Sequence, residues 1–204
     1  MAGCSLPTLQ QNTETCEINT TGTNCIQTGI IQEEIAPLDL SNFENTTEHT
    51  LLAIKNKDMK ILETIAGNNG IRFSPYAYID TDKNIILAKD GLQDALSGNI
   101  QYVRGNQDGS GEPIIMTFTD YLDKFVYDVD FISLSETFLN QNLSRGNSIN
   151  NATDVYSGKQ IIEYYVPGID PQYEGMDRRS LSLVFEQQNG QRHLIGIIHN
   201  QWTI

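Results

Sequence analysis

The chain has 204 residues, with 26 acidic against 13 basic side chains and a formal net charge of -13. That length suits one domain, or one domain with an appendage, and buries a substantial core. The charge repels phosphate backbones and anionic headgroups, which argues against a nucleic-acid partner, and no run of about 18 apolar residues offers a membrane span.

The first residues are Met1-Ala2-Gly3-Cys4. A lipoprotein signal peptidase needs small residues directly before its cysteine, so Cys4 reads as a lipid-bearing residue. This places the protein at a bacterial cell envelope, extracytoplasmic and held to the membrane through that lipid only. Residues 1–43 read as an acidic, mostly disordered tether. They are rich in Thr, Asn and Gln, and acidic residues from Glu14 to Glu48 all precede the first basic one, Lys55. Some 40 flexible residues average roughly 35 Å end to end, enough to lift a domain off a bilayer. Cys16 and Cys25 lie in this arm either as a disulfide, which an exported protein permits, or as free thiols. Three cysteines without a nearby histidine are a poor zinc site, and no metal or cofactor is expected.

Residues 44–204 read as a single α+β domain. Asn45 with Glu48 resembles a capping box, and Leu51, Leu52, Met59, Leu62, Ile65 and Ala66 form one apolar side of an amphipathic helix ended by Gly67 to Gly70. Ile71 to Phe73 runs extended into Pro75, and Tyr76 and Tyr78 continue to a turn at Asp80-Thr81-Asp82. A short helix around Lys89 to Leu96, a glycine-rich loop at 105–111 and a strand from Ile114 to Phe118 follow. Thr119 is positioned to cap a helix whose Tyr121 and Phe125 share a face. Residues 140–153 read as an exposed loop. Ile161 to Val166, Leu181 to Glu186 and Arg192 to Trp202 are β-rich, and Asn189-Gly190 suits a two-residue hairpin. Helices early and long strands late predict a curved antiparallel sheet packed against N-terminal and central helices.

Several blocks carry a resemblance: Arg72 to Tyr78, Asp108 to Ile114, Phe125 to Asp128, and the run from Leu183-Val184-Phe185-Glu186 to His199-Asn200-Gln201-Trp202-Thr203. Together they resemble an uncharacterised bacterial envelope lipoprotein family over residues 44–204. That family implies an address and no established activity. More loosely, the first helix and terminal hairpin are similar to the NTF2-like (cystatin-like) superfamily, which implies a cone-shaped pocket between a bent sheet and helices.

The chemistry is less explicit. Asp80 to Asn84 copies the first five positions of a calcium loop, but Ile85 and Gly91 stand where glycine and glutamate belong, which leaves a solvated turn. Asp108 and Glu112 flank Gly109-Ser110-Gly111 and either belong to a flexible turn or converge on a ligand. Asp128 and Asp130 share a face if extended. His199 shares its strand face with Ile195 and Ile197 and opposes Trp202, so it is either a satisfied core histidine or a donor or general base in a pocket. The leading expectation is a non-enzymatic domain that binds a small or peptidic ligand through Arg72, Tyr76, Tyr78, Asp108, Glu112, His199 and Trp202. One rival is an isomerase or hydrolase using His199 with Asp108 or Asp128. Another is a scaffold that docks a second envelope protein. Oligomeric state is not legible from the chain.

Overall fold

A computed structural model of the chain describes residues 36–141 and 149–203, together with the backbone of 15–19 and 22–26. Cys4 lies outside the described residues. The chain forms two compact units, 1–37 and 38–204. In the first, β1 (Thr15–Asn19) and β2 (Gly22–Ile26) make an antiparallel hairpin in a stretch where composition predicts no structure, and its register sets Cys16 opposite Cys25. The side chains of both strands lie outside the described residues.

The second unit opens with α1 (Phe43–Asn56) and α2 (Met59–Ile65). The apolar periodicity predicts one helix here, and two form. Lys57 adopts a left-handed conformation, with φ 54°, that ends α1, and the Asp58 carboxylate accepts from the amides of Lys60 and Ile61 to start α2. The first cap also differs from expectation. Asn42 accepts from the Asn45 amide at 3.1 Å, while Asn45 accepts from the Asp39 amide at 2.7 Å, so the helix begins before the capping-box position.

After a turn at Gly67–Gly70, β3 (Ile71–Ser74) enters the main sheet and pairs with β4 (Ile86–Leu87). A 3-10 turn, Lys89–Gly91, leads to α3 (Leu92–Ser97). β5 (Tyr102–Asn106) and β6 (Pro113–Met116) form a separate ribbon around the glycine loop. Thr117, not Thr119, caps α4 (Phe118–Phe125), accepting from the Asp120 amide at 3.1 Å. α5 (Phe131–Leu134), β7 (Glu136–Leu139) and α6 (Ala152–Val155) precede the terminal meander. That meander is β8 (Gln160–Val166), β9 (Arg179–Gln188) and β10 (Gln191–Gln201). Asn189 and Gly190 both have positive φ, 52° and 79°, as a two-residue hairpin between right-twisted strands requires.

The fold is α+β, with a main sheet ordered β4-β3-β10-β9-β8-β7. An all-antiparallel sheet is corrected in one respect, because β3 runs parallel to β10. Hairpins impose antiparallel pairing on the strands they join. No hairpin links β3 to β10, so their direction is set by packing.

One face of the sheet meets α1, α2 and α4 through a large core that includes Phe73, Phe118, Tyr121, Phe125, Phe131 and Phe185. α4 contributes Phe118, Tyr121, Leu122 and Phe125, the i, i+3, i+4, i+7 stripe of one helix face. Phe73 meets Phe118 edge-on with centroids 5.2 Å apart. The opposite face holds a smaller cluster of Ile79, Ala152, Val184 and Ile198.

Candidate functional site

In β10 the pairing with β9 skips from Leu194 to Gly196, a bulge at Ile195. The extra residue shifts the alternation. Leu194 and Ile197 face the large core, while Ile195 packs with the small cluster on the other side. His199 therefore shares its face with Ile197 and not with Ile195. It points into the aromatic core, where Phe125 meets it edge-on at 6.2 Å.

His199 is 0% exposed. Its Nε2 lies 3.1 Å from Asp128 Oδ1, and its Nδ1 lies 3.3 Å from the Pro75 carbonyl oxygen. A backbone carbonyl and a carboxylate both accept, so each ring nitrogen faces an acceptor and neither faces solvent. The second oxygen of Asp128 accepts from Arg179 Nε at 2.7 Å. Burial pushes the Asp128 carboxyl up, but the hydrogen bonds and positive charge of His199 and Arg179 outweigh it and hold the group below its ordinary range.

The imidazole and carboxylate that a general base needs are thus in contact, but no open space reaches the ring. His199 is withdrawn from the ligand-lining set for that reason. Asp128 and Asp130 do not act as a pair either, since the chain bends between them. Asp130 accepts from Ser133, Lys55 and Tyr127, which pulls its pKa to about 2.

Beside this buried network lies a hollow of about 350 Å³ lined by Tyr76, Tyr78, Asp108, Asn200, Gln201 and Thr203. Four segments build it: the stretch after β3, the glycine loop, Ile149 ahead of α6 and the end of β10. Gly105, with φ 115°, lets the loop pass close to Pro75. Tyr76 donates to Gln107 Oε1 at 3.0 Å, fastening the loop to the tyrosine segment. The Tyr76 ring backs onto Phe125 at 5.7 Å, so the hollow is floored by the aromatic core that encloses His199. Desolvation raises the Tyr76 pKa, which keeps its hydroxyl a donor at neutral pH. Tyr78 is 56% exposed and leaves its ring free to meet a ligand. Thr203 donates to Asp108 across the opening.

The structure thus gathers Tyr76, Tyr78 and Asp108 and leaves the other expected ligand residues elsewhere. Arg72 donates from Nη1 to the carbonyls of Thr81 and Asn84, at 3.0 and 3.3 Å, and staples the 80–84 turn to β3. Asp80 Oδ1 accepts from the amides of Asp82 and Lys83, so the calcium-like stretch uses that oxygen on its own backbone. Among the described residues no group of three or more His, Cys, Asp or Glu is placed to hold a metal ion. Glu112 closes the glycine loop through its carbonyl, which accepts from the Gln107 amide at 2.7 Å, and its side chain does not line the hollow. Trp202 is exposed and outside it.

Sequence reasoning missed Ile149, Gln201, Thr203 and, most tellingly, Asn200. Its signal was available, because a neighbour of His199 on a strand must face the other way. No family model, curated protein or solved structure matches this chain.

Proposed function

We propose that this protein is a lipid-anchored component of a bacterial cell envelope whose second unit binds a polar ligand without transforming it. The carrying observation is the convergence of Tyr76, Tyr78, Asp108 and Asn200 on an open hollow next to an imidazole that is sealed from it.

Aromatic faces interleaved with amide, hydroxyl and carboxylate groups suit peptides and sugars, which present flat apolar faces rimmed by hydrogen-bonding groups. The net charge of -13 and Asp108 favour a neutral or cationic ligand over a polyanion. The ligand class is accordingly a peptide or glycan fragment of the kind found in cell-wall material. The proposal includes an NTF2-like arrangement, a reading supported by a sheet that carries helices on one face. Here the hollow sits at the sheet's end, and aromatic side chains occupy the interior. The address rests on the residues around Cys4 and on the resemblance to envelope lipoproteins.

Titration calorimetry of the full chain against muropeptides, short peptides and oligosaccharides tests the reading. At least one class is expected to bind, and Tyr78→Ala, at an exposed position, is expected to weaken it at least tenfold. Absence of binding across the panel, or indifference to Tyr78→Ala, rejects the site. Mass spectrometry of the protein from an envelope fraction tests the address, and an unmodified Cys4 rejects it.

A second reading, catalysis by His199 and Asp128, is favoured by their 3.1 Å contact. It requires the core to open at Phe125. Turnover of any ligand found above, lost in His199→Gln, would establish it.

A further inference from the structure

Arg104 is 1% exposed, the largest of the fully buried side chains. It projects from β5, and its Nε donates to the Met116 carbonyl at 3.2 Å. Its Nη1 is buried and has no hydrogen-bond partner. The guanidinium carbon lies 5.1 Å from the Phe118 ring centroid, 5.6 Å from Tyr102 and 6.0 Å from Tyr121. Aromatic faces attract a cation but do not replace the hydrogen bonds it loses on leaving water. Burial accordingly pulls the guanidinium below its ordinary pKa, against the weaker influence of the two tyrosines. Among the described residues no carboxylate forms an ion pair with it.

Arg104 also lines a cavity of about 390 Å³ that shares no residue with the tyrosine hollow. The apolar walls include Ile85, Leu87, Ala95, Ile100 and Tyr102. Ile100 is 62% exposed and Tyr102 51%, so they face solvent, while Arg104 is the buried cation of the lining. Such a space holds about thirteen waters at ~30 Å³ each, room for an organic molecule of about ten to fourteen non-hydrogen atoms. Asp94, exposed on the lining, repels a second negative charge.

We infer that this cavity binds an amphipathic monocarboxylate, with the carboxylate on Arg104 and its hydrocarbon part against Ile85, Leu87 and Ala95. A carboxylate supplies the acceptor that Nη1 lacks, in the planar geometry a guanidinium recognises. The apolar walls exclude water and strengthen that pairing. This inference is independent of the peptide or glycan reading, which uses the other hollow.

Octanoate and 1-octanol, titrated into the full chain by calorimetry, are the probes. Octanoate is expected to bind at least tenfold more tightly than octanol. Arg104→Gln is expected to remove at least tenfold of the octanoate affinity and to leave octanol unchanged. Ala95→Phe, which fills the cavity without touching the cation, is expected to abolish binding of both, and Tyr78→Ala to affect neither. No octanoate binding, equal affinity for octanol, or full octanoate affinity in Arg104→Gln overturns the inference. If Arg104→Gln does not fold, Ala95→Phe decides: retained octanoate binding overturns it. Loss of octanoate binding in Tyr78→Ala would place the ligand in the other hollow and also overturn it.

Discussion

Asp128 is held between a fully buried imidazole and the Arg179 guanidinium, and each contact is a charge-assisted hydrogen bond. Asp128→Asn keeps the volume but replaces one of the two accepting oxygens by an NH2 and removes the charge beside Arg179, which is expected to cost about 2 to 4 kcal/mol, or roughly 5 to 15 °C in Tm for a chain of this size. Because the folded carboxyl titrates below its ordinary value of 3.8, its contribution is complete above that pH and is lost as the pH falls through the folded value. Urea unfolding at pH 7 and pH 3 should therefore show a gap between wild type and Asp128→Asn that narrows in acid. A gap that widens would contradict the network. Gly70 makes a different demand. It has φ 81°, and a Cβ there would run into the Leu87 carbonyl, so Gly70→Ala is expected to cost about 2 to 4 kcal/mol by urea midpoint. The glycine is visible in the sequence, but the strand that crowds it is not.

Where the elements begin and end followed side chains that compete for the same backbone groups. Asn42 and Asn45 both suit a cap, and Asn42 prevails because its carbonyl already accepts from the Thr46 amide while its side chain accepts from the Asn45 amide. Asp58 was legible as a cap in principle, yet an unbroken apolar stripe on both sides of it masks the break between α1 and α2. The terminal hairpin was read directly because Asn-Gly at its turn and β-rich flanks agree. In the first unit, the hairpin closes on Asn19 opposite Gly22 across two residues.

The second unit starts at Leu38, earlier than composition suggests. Leu38, Leu40 and Phe43 pack on the large core, Phe43 meets Phe185 edge-on at 5.7 Å, and the Arg192 amide donates to the Leu40 carbonyl at 2.8 Å. A chain beginning at residue 44 also loses the Asn42 cap. It is expected to be less stable than one beginning at Leu38 by about 3 to 5 kcal/mol, from apolar burial and the cap together. Equal Tm values for the two chains would show that this segment does not belong to the core.

Local chemistry is written in the chain, so the α+β class, the amphipathic stripe of α4, the Asn-Gly turn and the polar, acidic character of the arm could be read without coordinates. Only three-dimensional packing decided which ionisable groups meet. A single bulged residue at Ile195 turned His199 inward, onto an Asp128 that lies 71 positions earlier. The same packing left Arg104, one basic residue among thirteen in the sequence, without an ion-paired carboxylate among the described residues. Burial and pairing depend on contacts between distant segments, and no local pattern encodes them.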